Sequence, residues 1–289
     1  RVYQVAEPYN PPMTLDQFVD SGVTVAEDDA FYGLTQTGDG TVVLSGYATS
    51  QLVTIATDTT GAPGTTSIVD FQTGAEITQP HGLAVAGDGS LWICDTNDEQ
   101  VRNVNTDGTP GATADITMGR YWDEQGVAAL VVDKTGDGGD HILYVADRAK
   151  NGIWRFDLGQ GDGTTPPPAV SFTPLDMMNS DRWGYLDMFQ FGEDIYIVGD
   201  EIPGFVVMHE HGWVKDHLME YGQEFSGVFV EDADSDGEPE VYLNSGYSIM
   251  ESDGDGNVHG VYLIPRPADY GGLYLDLEKV ADTFYTAPW

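Results

Sequence analysis

The sequence is almost without cysteine and short of cations. Its 289 residues hold one cysteine and 11 lysines and arginines against 48 aspartates and glutamates, a formal net charge of -37 at neutral pH. A lone thiol excludes an internal disulfide. Cys94 sits in the apolar run Leu91-Trp92-Ile93-Cys94 and reads as a small buried hydrophobe, not a nucleophile. The charge excludes two partner classes: a field of this sign repels nucleic acid and anionic lipid. Long hydrophobic runs are missing as well. The longest, Val127 to Val132, falls far short of the ~20 residues that a helix needs to cross a bilayer, so no direct membrane insertion is expected. His209, His211 and His217 do not form a metal-ligand pattern, and no serine or cysteine nucleophile motif is present. The chain begins at Arg1 without methionine, as expected of a processed or trimmed start.

The acids that are present run along the whole chain instead of gathering in a tail. Self-repulsion on this scale destabilises a compact state in dilute buffer, whereas at molar salt the screening length falls to ~3 Å and most of the penalty disappears. With only four lysines, this composition resembles proteins of salt-accumulating halophiles and their viruses; the plainer alternative is an ordinary acidic secreted protein. An extracellular, cell-surface or virion location in a hypersaline environment is therefore expected.

Repetition organises the rest. Pro80 to Asn105 reads as an apolar run, an Asp88-Gly89 turn, a second apolar run, a polar corner and a third alternating run, the pattern of strands joined by hairpins. Second strands of the same kind end at Gly46, Asp95, Asp147, Asp200 and Gly246, about 49, 52, 53 and 46 residues apart, close to the ~40–50 of propeller blades. First strands are predicted at Phe31 to Thr35, His81 to Val85, Gly126 to Val132, Trp183 to Phe189 and Phe225 to Val230. Third strands are predicted at Gln51 to Ala56, Gln100 to Asn105, Gly152 to Asp157, Gly204 to His209 and His259 to Ile264. The fold class is thus all-β, a single propeller domain over residues 1–289 with five blades of four-stranded antiparallel sheets. Two runs remain, Phe18 to Val25 and Tyr274 to Tyr285, and one or both should close the ring by pairing the chain's two ends. Six blades is the alternative, if these runs form a sheet of their own.

Two junctions between first and second strands are long and acidic. Asp232-Ala233-Asp234-Ser235-Asp236-Gly237-Glu238-Pro239-Glu240 places oxygen-bearing side chains on alternate positions of a loop that bends at Gly237, and Glu238 and Glu240 extend the supply. Calcium takes six to eight oxygen ligands at ~2.3–2.6 Å, which such a loop can provide. Asp133, Thr135, Asp137 and Asp140 repeat the pattern more loosely. These loops resemble the calcium loops of integrin-type FG-GAP propeller repeats, and the resemblance implies bound Ca2+ in a structural role. A third cluster, Ser252 to Asn257, reads as a solvated acidic turn between the second and third strands of unit five.

Because strands alternate in direction, second-strand ends and first-strand starts share one rim. That rim is expected to collect Asp95, Asp147 and Asp200 with Asp29, His81, Glu124, Asp181 and Glu224. Pro80-His81-Gly82-Leu83-Ala84-Val85, Gly87-Asp88-Gly89-Ser90-Leu91-Trp92-Ile93 and Asp95 together resemble a repeat of the NHL, gluconolactonase and streptogramin-lyase group of propellers. In enzymes of that group, axial histidines or acids hold a divalent metal or act as base. The resemblance implies, as one reading, a metal-assisted lactonase or lyase working at the central mouth through His81 with Glu124, Asp181 or Glu224. His-Gly occurs in one unit alone; Phe31-Tyr32-Gly33 and Trp183-Gly184 stand at the equivalent points. The reading preferred from the sequence is a non-enzymatic, halophile-adapted surface or virion-spike module. It would bind a receptor, glycan or neighbouring subunit at the rim, where Tyr247, Tyr270, Tyr285 and Trp289 offer aromatic surface.

Overall fold

In the computed structural model, the described residues are 3–6, 18–20, 31–58, 63–118, 127–132, 142–147, 150, 152–175, 186–199, 204–209, 214–218, 225–232, 235–245, 248–263, 274–280 and 283–288. Two short strands open the chain, β1 (Tyr3–Ala6) and β2 (Phe18–Asp20). The first unit follows as β3 (Phe31–Gln36), β4 (Val42–Gly46), β5 (Gln51–Thr57) and β6 (Pro63–Asp70). The second is β7 (Pro80–Val85), β8 (Leu91–Asp95), β9 (Gln100–Val104) and β10 (Ile116–Thr117). The third is β11 (Val127–Val132), β12 (Ile142–Asp147), β13 (Gly152–Asp157) and β14 (Ala169–Pro174). The fourth is β15 (Leu186–Phe191), β16 (Asp194–Gly199), β17 (Gly204–His209) and β18 (Val214–Leu218). The fifth is β19 (Gly227–Glu231), β20 (Glu240–Asn244), β21 (Ser248–Asp253) and β22 (Val258–Leu263), and β23 (Tyr274–Val280) and β24 (Thr283–Pro288) end the chain.

Each of the five units is one four-stranded antiparallel sheet, as the repeat predicts. A further sheet, in the order β2-β1-β24-β23, joins the two chain ends, so the described strands form six sheets, the alternative that the terminal runs allowed. Its closing ladder pairs Tyr3 with Thr286 and Ala6 with Thr283. The first strand of each unit lies innermost. β3 packs on β7, β7 on β11, β11 on β15, β15 on β19, β19 on β23, and β23 returns to β3.

A blade in such a ring is covered on both faces, which explains the second strands. β4 and β8 are buried at every residue, so they read as continuous apolar runs without alternation. The period of two reappears in which neighbour each side chain meets. Tyr144 and Ala146 of β12 pack toward Ile195, Ile197 and Met208 of the fourth unit, while Leu143 and Val145 pack toward Trp92 and Cys94 of the second. Cys94 is fully buried and burial pushes its thiol well up, as an inert packing residue requires.

Many acids cap their own turns. Asp39 accepts from the Thr37 hydroxyl and the Thr41 N–H, Asp88 from the Ser90 N–H, Asp107 from Thr109, and Asp162 from Thr164 and Thr165. Gly40 and Gly89 hold φ of 87° and 84° in the first two of these turns, the left-handed region that favours glycine. In unit five the third strand is β21, where the sequence reading placed it at His259 to Ile264. The corner after β20 is short, and the Ser252 to Asn257 cluster therefore joins the third and fourth strands. There Asp253 accepts from the Asp255 and Asn257 N–H groups and the Asn257 side-chain amide. Although burial raises its pKa, these bonds and His259 outweigh that and hold the carboxyl at about 2.

Candidate functional site

The rim around His81 is shaped by bulges in the inner strands. In β7 the pairing steps from Pro80↔Asp95 to Leu83↔Ile93, so His81 and Gly82 stand opposite one residue. In β3 it steps from Phe31↔Gly46 to Gly33↔Ser45, and Tyr32 is the extra residue. β11 shows the same shift between Val127 and Leu130, whereas β15 and β19 pair regularly. A bulge re-aims its side chain. Here the His81 ring stacks on Tyr32 with centroids 4.4 Å apart and planes at 22°. Tyr47, from the corner after β4, meets Tyr32 edge-on at 4.8 Å and His81 at 6.0 Å. The backbone is fixed as well, since the Ser45 hydroxyl donates to the His81 carbonyl at 2.7 Å. Gly33 permits that approach, for a Cβ there would lie 2.3 Å from the His81 oxygen.

The rim carboxylates that are described serve their own blades. Asp95 is fully buried and accepts from Arg102 Nε at 3.0 Å and from Thr78. The same guanidinium reaches Asp115 at 3.1 Å and Asp98 at 3.2 Å. Burial raises the Asp95 pKa, and Arg102 opposes that rise without cancelling it. Asp147 is bonded in the same manner. It accepts from Lys150 Nζ at 2.8 Å, from the Lys150 N–H at 3.1 Å and from Trp154 Nε1 at 3.0 Å, and the ammonium lies 5.2 Å from the Trp154 ring. The two sites share a geometry. Asp95 pairs with Gln100 and Asp147 with Gly152, so the residue two further along the third strand, Arg102 or Trp154, projects on the same face. Sequence reading placed Asp95 and Asp147 at the rim and missed these donors. The signal that could have found them is a hydrogen-bonding side chain seven residues after the strand-ending aspartate in both units.

Of the proposed catalytic set, His81 is described, and Glu124, Asp181 and Glu224 lie outside the described residues, as do Asp29 and Asp200. Of the proposed calcium ligands, Asp133, Thr135, Asp137, Asp140 and Asp234 also lie outside them. The Asp232 loop does join β19 to β20, as predicted. Ser235 and Gly237 take φ of 62° and 91°, Asp232 Oδ2 accepts from the Gly237 N–H at 3.1 Å, and Asp236 Oδ1 accepts from the Glu238 N–H at 2.9 Å. Asp232 Oδ1 is buried without a hydrogen-bond partner. Asp236 and Glu238 are exposed, and Glu240 stands across from Glu231 on one side and Asp253 on the other. Among the described residues, no three His, Cys, Asp or Glu side chains are gathered as a metal site. His209 is held by Glu193 at 3.1 Å.

The fold matches several solved propellers. Virginiamycin B lyase from Staphylococcus aureus superposes with a TM-score of 0.58 at 11% identity, covering 91% of this chain and 96% of the lyase. A gluconolactonase from Xanthomonas campestris gives 0.60 at 13%, over 90% and 86% of the two chains, and a chain of a nidogen/laminin complex gives 0.61 at 12%, over 91% and 94%. At these identities the likeness establishes the fold, and it agrees with the group that the Pro80 to Asp95 repeat resembles. No family profile and no curated protein matches the sequence itself.

Proposed function

We propose that this chain is a non-enzymatic binding propeller of a hypersaline extracellular or virion surface, presenting the His81 rim to a protein partner. The observation that carries the reading is the use made of the rim groups. His81 is packed in a cluster with the Tyr32 and Tyr47 rings with its carbonyl tied to Ser45, and Asp95 and Asp147 are committed to Arg102 and to Lys150 with Trp154. Aromatic rings with a polar edge, beside carboxylates already committed to internal partners, form the kind of patch that anchors protein contacts. A nidogen/laminin complex among the structural neighbours supports a protein-binding role for a fold of this shape. The charge of -37 supports the saline setting. The neighbours that are lyases and lactonases favour the second reading, ring opening at the mouth through His81 with Glu124, Asp181 or Glu224.

Calcium at the Asp232 hairpin belongs to the proposal. The buried, unpartnered Asp232 Oδ1 supports it, since a carboxylate oxygen withdrawn from water needs a donor or a cation. The ion would pin a hairpin whose facing glutamates, Glu231 and Glu240, repel each other.

A photo-crosslinking amino acid at Ala48, exposed on the corner beside Tyr47, tests the rim. In the native particle or membrane, in molar salt, it should yield adducts with a second protein; the same group at Ser235, on the opposite face, should yield none. Adducts at Ser235 with none at Ala48 would refute the rim as the partner face.

A further inference from the structure

Three cationic side chains are described in full, and in a chain with 48 carboxylates two of them are held by carboxylates. Arg102 has three and Lys150 has one. Arg155 has none. Its guanidinium makes no ion pair or hydrogen bond among the described residues, and its Nε is buried without a partner. The residue lies on β13 between Tyr144 of β12 and Ser171 of the outermost strand β14, in register with both. Tyr144 and Ile153 on this face pack toward the fourth unit, so Arg155 lies in the outer part of the cleft between the third and fourth blades. The guanidinium carbon sits 5.4 Å from the Tyr144 ring.

We propose that Arg155 is the anchor of a carboxylate-binding site in this cleft, independent of the rim. A buried donor left unmade is costly, and an abundant internal supply of carboxylates has not been used to satisfy it. The aromatic ring beneath fixes the guanidinium by a cation–π contact while leaving its N–H edges free to take the two oxygens of a planar anion. A single cation in so negative a field admits a monoanion more readily than a dianion, which favours a carboxylate over a phosphate. The carboxylate has two possible sources, a small free acid or an aspartate or glutamate of a partner, and the chemistry at Arg155 is the same for both.

The test follows the arginine Nε–H resonances at fixed potassium concentration while chloride is replaced stepwise by acetate. Arg155 is assigned by the peak missing from Arg155→Met, or from Arg155→Lys should the methionine variant not fold. The Arg155 peak should move downfield and saturate in the millimolar range, while that of Arg102, already bonded to Asp95, stays in place. In the same series the thermal midpoint should rise with acetate in wild type and not in Arg155→Met. A linear drift shared by both arginines, or an equal rise in both proteins, would overturn the site. Titration with acetyl-Gly-Glu-Gly-amide, with the Gln peptide as control, separates the sources. Binding tenfold or more tighter than acetate assigns a partner's side chain, and equal binding assigns a free acid.

Discussion

Moved from molar potassium chloride to a buffer of about 0.05 M ionic strength, the chain should lose its fold. Lowering salt from 1 M to 0.1 M lengthens the screening distance from ~3 Å to ~10 Å, which brings neighbouring surface carboxylates within one another's field. Capping bonds hold the carboxyls of Asp39, Asp107, Asp162 and Asp253 below their ordinary range, so these groups stay charged as pH falls toward 4. Their folded pKa values lie below the unfolded ones, so the stability they add is present above about 3.8 and is lost as pH drops below it. At these four turns mild acid therefore does not remove the charge. Millimolar calcium should recover part of the loss if it binds at Asp232. At a concentration ten to a hundred times its dissociation constant it would contribute about 1.4–2.7 kcal/mol, or roughly 2–4 °C. Asp232→Asn should remove that gain and change little in chelator, as followed by circular dichroism against temperature. An equal calcium effect in the variant would dismiss Asp232 as a ligand.

The second large effect is at Arg102. Replacing it with methionine leaves Asp95 buried as an unpaired charge and leaves Asp98 and Asp115 without their common cation. Removing one partner of a buried pair costs about 3–5 kcal/mol, which for a chain of this size is a fall of roughly 5–8 °C in molar salt. The pH dependence carries the signature. The Asp95 pKa is already raised by burial, so its stability contribution is greatest below the unfolded value near 3.8 and falls as pH rises through the folded one. Without Arg102 that folded pKa climbs further, and the deficit should widen from pH 4 to pH 7. Asp95→Asn in the same background should restore a large part of the loss. A deficit independent of pH, or no rescue, would mean that Arg102 acts through packing alone.

Five blades were legible because each is one contiguous unit that repeats the same order of runs. The sixth was legible only in part: the runs at the two ends pointed to closure by pairing, but β1 and β2 precede the first repeat, β23 and β24 follow the last, and only closure of the ring makes them a sheet of their own. Continuous apolar second strands marked burial on both faces, but they could not say which residue meets which neighbour. Unit five misled because the short corner after β20 hides a strand that the wider acidic turn at Asp253 appeared to replace. At the rim, the pattern drew attention to His81 and to the strand-ending aspartates. It did not reveal the bulges that turn Tyr32 and His81 onto each other, because a bulge depends on registry with the partner strand. Nor did it show that Asp95 and Asp147 have internal partners, since the side chain seven residues on is arginine in one unit and tryptophan in the other and becomes a partner only through strand pairing.

The claim that the rim binds and does not catalyse is tested most directly by a turnover assay. Folded protein in molar potassium chloride, with magnesium, manganese or calcium, is offered sugar lactones and a cyclic streptogramin B depsipeptide, and ring opening is followed by chromatography. No turnover above the protein-free rate is predicted, with no difference between wild type and His81→Ala. Multiple turnovers that vanish in the alanine variant while its thermal midpoint holds would contradict the account.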